Sequence, residues 1–250
     1  MYSFQEHYKQ TLAPYYTRVY GGTEKNYALA RSIFEGFGIT AAETGGARSA
    51  ADLGSGSGFF SLPLAHLGYQ VLALDLDPYL CEEHRKLCKD SNVQVICDDL
   101  LNLPGYSSEK MDIILCMTDT LAHLESEEQI LALLRMVADS LKSDGSFLIS
   151  FRDQSNSLED DHRFIPFYSD SELIATTFVE FSESHVNVTD ILYILEQENW
   201  RMQISSYKKL RLTRNRMKEL LDEANLHIIG QESIRGMDYL LTGRKSSQRS

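Results

Sequence analysis

The chain has 250 residues, with 24 Lys plus Arg against 36 Asp plus Glu, a formal net charge of −12. A composition of 43% apolar and 24% charged residues supports a packed core and excludes general disorder, and the length suits one large domain or two small ones. The acidity argues against a nucleic-acid backbone or an anionic membrane as partner, because both attract cationic protein.

No run reaches the roughly 18 apolar residues of a membrane span. The opening MYSFQEHYKQ lacks the basic-then-apolar order of a secretory leader. Cys81, Cys88, Cys97 and Cys116 form no CxxC pair, and a chain of this size folds without disulfide staples. The expected location is the reducing cytoplasm.

Residues 1–45 read as a helical cover. Tyr8, Leu12, Tyr15, Tyr16, Val19 and Tyr20 make an aromatic face broken by Gly21-Gly22, and a second helix follows over about 27–37. The stretch 38–49, GITAAETGGARS, is a linker. From residue 46 to 151 short apolar runs alternate with amphipathic stretches. Strands are expected at 50–53, 71–74, 93–96, 111–117 and 145–151, and helices at 59–67, 78–89 and 126–141. That alternation predicts an α/β domain with a parallel sheet. Residues 152–212 break the rhythm with β-rich sequence, read as an antiparallel insertion with its strands between about 164 and 212. The α/β pattern returns over 213–244 with a helix capped by Thr213 and a final hairpin, and the tail at 245–250 is expected to fray.

The chemistry centres on Asp52-Leu-Gly54-Ser55-Gly56-Ser-Gly58, between a strand and a helix. Glycines there let the backbone turn tightly and approach a ligand at the carboxyl edge of the sheet. Asp75 closes the next strand, about twenty residues on, where a carboxylate can accept two ribose hydroxyls. The dinucleotide fingerprint is GxGxxG, whereas here Phe59 stands at its third glycine. Asp52 would oppose a pyrophosphate but suits a cationic ligand. Both differences favour S-adenosylmethionine over NAD; a tight turn with no ligand is the alternative.

The sequence resembles the class I S-adenosylmethionine-dependent methyltransferases, small-molecule type. ADLGSGSGFFSLPLA is similar to their first motif, ALDLDPYL to the second and VICDDLLNLP to the third, with later elements in order. The resemblance implies a Rossmann-like seven-stranded sheet of order 3-2-1-4-5-7-6 with an antiparallel last strand. It implies S-adenosyl-L-methionine as cofactor, held by Tyr20, Asp52, Gly54, Ser55, Gly56, Gly58, Asp75, Leu76, Asp98, Asp99, Leu100 and Cys116. Asp99 fits the adenine position best, with Asp98 next. The insertion is architecturally similar to the extra sheet of glycine and sarcosine N-methyltransferases, where that sheet and the N-terminal segment cover the acceptor.

Methyl transfer needs alignment and exclusion of water more than a catalytic triad, with a base only when the acceptor arrives protonated. Asp119 and His123 share a helical face at i, i+4, so Asp119 can orient His123 as base; equally, Asp119 can cap the turn while His123 packs under the cover. Arg152 can grip an acceptor carboxylate or pair with Asp153, and Arg163 is a weaker candidate. Tyr15, Tyr16 and Tyr20 can close on a sulfonium through cation–π contact or form plain core. Cys81, His84, Cys88 and Cys97 have metal-like spacing, but buried helix cysteines are the favoured reading, so no metal is expected. The run Lys208, Lys209, Arg211, Arg214, Arg216 is a solvated face or an anion site. The expected partner is a small-molecule acceptor, with no nucleic acid and no membrane; alternatives are a cofactor-binding protein without catalysis and a nucleic-acid or protein methyltransferase.

Overall fold

In a computed structural model the chain is described over residues 3–41 and 48–244. The expected frayed tail and residues 42–47 of the 38–49 linker lie outside the described residues.

Five strands, β1 (Arg48–Leu53), β2 (Tyr69–Asp75), β3 (Val93–Cys97), β4 (Met111–Cys116) and β5 (Leu141–Phe151), form a parallel array. Four more, β6 (Phe164–Ser169), β7 (Leu173–Phe181), β8 (His185–Glu196) and β9 (Asn199–Leu210), form a separate antiparallel sheet in that order. The chain then returns to the first sheet through β10 (Leu226–Ile234) and β11 (Met237–Arg244). The first sheet runs β3-β2-β1-β4-β5-β11-β10 with β11 antiparallel to β5, the order that the resemblance implied. Placing the last-arriving strand inside the edge hairpin is what reverses the final two positions.

The helices are α1 (Phe4–His7), α2 (Tyr16–Val19), α3 (Thr23–Gly36), α4 (Ser61–His66), α5 (Pro78–Leu87), α6 (Leu103–Tyr106), α7 (Glu127–Ser140) and α8 (Arg214–Glu223). Local chemistry sets their starts. Asp77 accepts from the Tyr79 and Leu80 amides and Pro78 opens α5. Ser126 caps α7 through the Gln129 amide, and Thr213 caps α8 through that of Arg216. The central strands are buried on both faces, so Ala51, Leu53 and Ile114 pack under α7 and α8 while Ala50, Ile113 and Leu115 pack toward α3 and α4.

Boundaries shift where backbone chemistry overrides pattern. The helix expected from residue 59 begins at Ser61, because the glycine loop turns on through Phe60. Strand β5 starts at Leu141, where it already pairs with Met111 across a bulge. The aromatic N-terminal stretch is not one helix: α1 passes into a π-helical turn at Tyr8–Leu12 and a 3-10 turn at Ala13–Tyr15 before α2. Pro14 removes an amide donor there, which prevents a continuous ladder.

One face of the second sheet is buried. Leu173, Ala175, Leu192 and Ile194 join Leu12, Tyr16 and Val19 in a core shared with the first sheet. The N-terminal segment therefore lies between the inserted sheet and the carboxyl edge of β1, β2 and β4.

Candidate functional site

A cavity of about 870 Å³ opens at that edge, within the range of small-molecule sites. Its floor is the chain between β1 and α4. Gly54, Gly56 and Gly58 all have positive φ, at 73, 51 and 85°. A Cβ on Gly54 would meet the Thr120 side chain at 2.4 Å, and one on Gly58 would meet the His84 ring at 2.3 Å. Both positions thus demand glycine for space as well as for conformation. The Gly54 and Ser55 amides donate to the Leu74 carbonyl, which ties the loop to the end of β2.

The cavity is lined on this side by Gly54, Gly56, Asp75, Leu76, Asp77, Asp99 and Leu100. Asp75 accepts from the Gly56 amide at 2.7 Å and the Asp77 amide at 2.9 Å. Its carboxyl is pushed above the ordinary range, first by burial, with those two amides opposing. Asp99 caps the next short turn through the Leu101 amide, whereas Asp98 turns outward to Asn102 and the Tyr106 hydroxyl. Of the pair, Asp99 is the one that faces the cavity.

Other expected cofactor residues lie outside the lining. Asp52 is 1% exposed and accepts from the Ser61 hydroxyl at 2.5 Å. Burial pushes its carboxyl up to about 7, with Ser61 opposing. Ser55 and Gly58 sit against His84. Cys116 is wholly buried in the core, which pushes its thiol up. Tyr20 is 44% exposed beside Tyr16, and it is Tyr16 that reaches the cavity. Cys81 points to the Asp75 carbonyl and Cys88 to that of Arg85, so the metal-like spacing does not converge; the described residues contain no cluster that could hold a metal ion.

The opposite side is built by distant segments. Phe4 stacks on His123 with ring centroids 3.8 Å apart, and Tyr8 and Tyr207 surround the pair. Burial, then the charge of Lys209, lowers His123 to about 3, so its imidazole is neutral at ordinary pH. Its Nδ1 is buried without a hydrogen-bond partner. Thr118 and Asp119 both adopt left-handed backbone, at φ 57 and 70°. This turns Asp119 away from His123: its carboxylate accepts from the Arg152 amide at 3.1 Å and from Lys209 Nζ at 2.6 Å. Asp119 neither orients His123 nor caps its turn, and His123 does pack under the cover. The Arg152 side chain is exposed and absent from the cavity lining. Its neighbour Asp153 binds Ser155 and the Arg214 amide instead, and Arg163 lies over Phe178.

The cover is fastened by polar contacts. His7 Nε2 lies 3.0 Å from Asp190, which also accepts from Thr177. Arg18 binds Asp170 and Glu172, and Thr17 joins Ser57 and Glu83 beside the glycine loop. The cationic run is dispersed: Arg211 binds backbone carbonyls of 154 and 182, Arg214 binds Asp238, and Arg216 binds Glu127. Sequence reasoning did not single out Phe4, Thr118, Thr120 or Asp77. Only Asp77 carried a local signal, as an N-cap before proline.

This architecture is the fold of the S-adenosylmethionine-dependent methyltransferases. It superposes on one such enzyme from Clostridium acetobutylicum with a TM-score of 0.74 at 16% identity, covering 97% of this chain and 98% of that one. Residues 50–145 match the family described as a methyltransferase domain. It is 28% identical over 126 residues to a glycine/sarcosine N-methyltransferase of Aphanothece halophytica, covering 49% of this chain and 48% of that one. It is 35% identical over 101 residues to a ubiquinone biosynthesis O-methyltransferase of Xanthomonas campestris pv. campestris, covering 40% and 41%. The chain thus spans less than half the length of either curated relative.

Proposed function

We propose that the protein transfers a methyl group from S-adenosylmethionine to a small-molecule acceptor. The observation that carries the reading is the two-sided cavity, with backbone glycines and three carboxylates on one side and an aromatic cover on the other. S-adenosylmethionine supplies a methyl group already activated on a sulfonium. The residues present fit it. Asp75 stands at the end of β2 where a ribose would lie, and its two oxygens, held by the Gly56 and Asp77 amides, keep lone pairs free. Asp99 and the Leu100 backbone flank an adenine position, and no phosphate is needed opposite Asp75, Asp77 and Asp99.

Phe4, Tyr8, Tyr16 and His123 close the other half and keep water from the reacting groups. His123, neutral and with an unpartnered Nδ1, can accept a hydrogen bond from an acceptor hydroxyl or amine. The likeness to small-molecule N- and O-methyltransferases supports the acceptor class, and four free cysteines agree with a reducing cytoplasm.

The test is incubation with methyl-labelled cofactor and a metabolite extract, read by mass spectrometry. A labelled small product is expected. Label confined to RNA or protein overturns the acceptor class. Absence of label with calorimetric binding intact overturns transfer and leaves a binding protein. NADH should bind far more weakly in the same calorimeter.

A further inference from the structure

The charged residues that line the cavity are sorted by sign. Asp75, Asp77 and Asp99 stand on the glycine-loop side. The rest of the lining holds Lys9, Lys208, Lys209 and His185, with Glu125 as its single carboxylate among the described residues. Glu125 is already engaged, accepting from the Gln129 side-chain amide at 3.1 Å. Such a cluster of cations reverses the sign of the chain as a whole, which carries −12.

The inserted sheet brings these groups together. Lys208 and Lys209 lie at the end of β9, and His185 opens β8 directly across from Leu210. Lys9 comes from the π-helical turn that follows α1. Lys209 stands two residues after Tyr207, on the same face of β9. Its side chain is 11% exposed, and its ammonium bonds Asp119 at 2.6 Å. Asp119 is not part of the lining, so the pair presents its positive end to the cavity. An ammonium has three donors, and Asp119 is its one hydrogen-bond partner among the described residues. Two donors are left for a ligand. Lys9 and Lys208 are exposed, and neither has a hydrogen-bond or ion-pair partner among the described residues.

We propose that the acceptor carries an anionic group, a carboxylate or a phosphate, held by Lys208, Lys209 and Lys9. This rests on the methyl transfer proposed above and names the class of molecule that receives the methyl group. Lysines act as compact point charges, which suits either anion. At long range the net charge repels anions, so binding depends on this local reversal of sign, and the cluster also steers where such an acceptor enters.

Tandem mass spectrometry of the labelled product from the metabolite extract tests the proposal directly. Phosphate fragment ions identify one source of the anion, and loss of carbon dioxide identifies the other. With the acceptor so found, Lys208→Gln should raise its KM about fivefold and Lys208→Glu about tenfold or more. Lys208 is exposed, so circular dichroism should be unchanged. Lys209→Met with Asp119→Asn removes the buried pair without stranding a charge, and should raise that KM more than tenfold. The KM should also climb between about 0.05 and 0.5 M salt. Affinity for S-adenosylmethionine should stay within a few-fold throughout. Lys218→Gln, at an exposed position of α8 outside the lining, controls for net charge and should leave the KM alone. A labelled small product with neither anionic group overturns the proposal and leaves the methyl transfer standing. Equal rises in KM for Lys208→Gln and Lys218→Gln overturn it too, as does a loss of cofactor affinity as large as the rise in KM. Absence of any labelled small product overturns the reading beneath it, and the proposal with it.

Discussion

The two sides of the cavity are built in opposite ways. The glycine-loop side is made within about fifty consecutive residues, and its contacts are largely backbone: Gly54 and Ser55 to Leu74, Gly56 and Asp77 to Asp75, Leu101 to Asp99. The cover side joins residues more than a hundred positions apart through side chains: His7 to Asp190, Arg18 to Asp170 and Phe4 to Tyr207. A side held by short-range backbone bonds is rigid and tolerant of surface change. One held by a few buried long-range pairs stands or falls with each pair. Under the proposed function, the difference suits a fixed cofactor pocket beneath a cover that admits an acceptor.

The contrast is broken most severely at Lys209→Met. It strands the Asp119 carboxylate, 6% exposed, without its cation, and should cost about 3–4 kcal/mol in denaturant unfolding. Adding Asp119→Asn should return much of that loss; additive costs would show that the pair does not act as a unit. On the loop side Gly58→Ala meets both a φ of 85° and the His84 ring. A loss of about 2–3 kcal/mol is expected, and an unchanged melt would remove the steric account.

Smaller effects sharpen the comparison. Asp75→Ala should weaken S-adenosylmethionine more than tenfold in calorimetry, about 1.4 kcal/mol or more, while the Lys209→Met, Asp119→Asn protein should bind it within a few-fold of normal. Equal losses in both would mean that the two sides are not independent. A pH-dependent effect concerns Asp52. Burial raises its folded pKa to about 7 from an unfolded value of 3.8. The folded state then holds a proton that the unfolded chain has lost, so this contribution is full below pH 3.8 and fades as pH rises through 7. Asp52→Asn should therefore gain stability relative to the unmodified chain as pH rises from 5 to 8, by roughly 2–3 kcal/mol. A pH-independent difference would show that Asp52 is ionised throughout.

The loop side was legible because its signals are local. A positive φ requires glycine, a strand end requires a short polar residue, and an N-cap requires Asp or Ser; each is written within a few positions of where it acts. Asp75 and Gly56 were read this way, whereas Asp99 came from the family resemblance. The same reasoning misplaced Asp119 because it assumed helical geometry at Thr118 and Asp119, where the backbone is left-handed. It also placed Asp52 beside a cationic ligand, whereas Ser61, nine residues on, holds it under the loop. The dispersed cations show the reverse error: five basic residues within nine positions, 208–216, are separated by strand alternation and a helix start, and four of them take different partners.

The sequence alone determined the alternation of strands and helices and the glycine loop with Asp75, while the sheet order and Asp99 came from the family resemblance. Apolar periodicity, caps and turn residues act over short range, and a parallel sheet with right-handed crossovers leaves few topologies open. Only the tertiary structure decided which aromatics reach the cavity and which carboxylates face it. Those are matters of burial and charge pairing between segments far apart in the chain. No local pattern specifies such partners, because side-chain contacts are set by packing after the elements have formed.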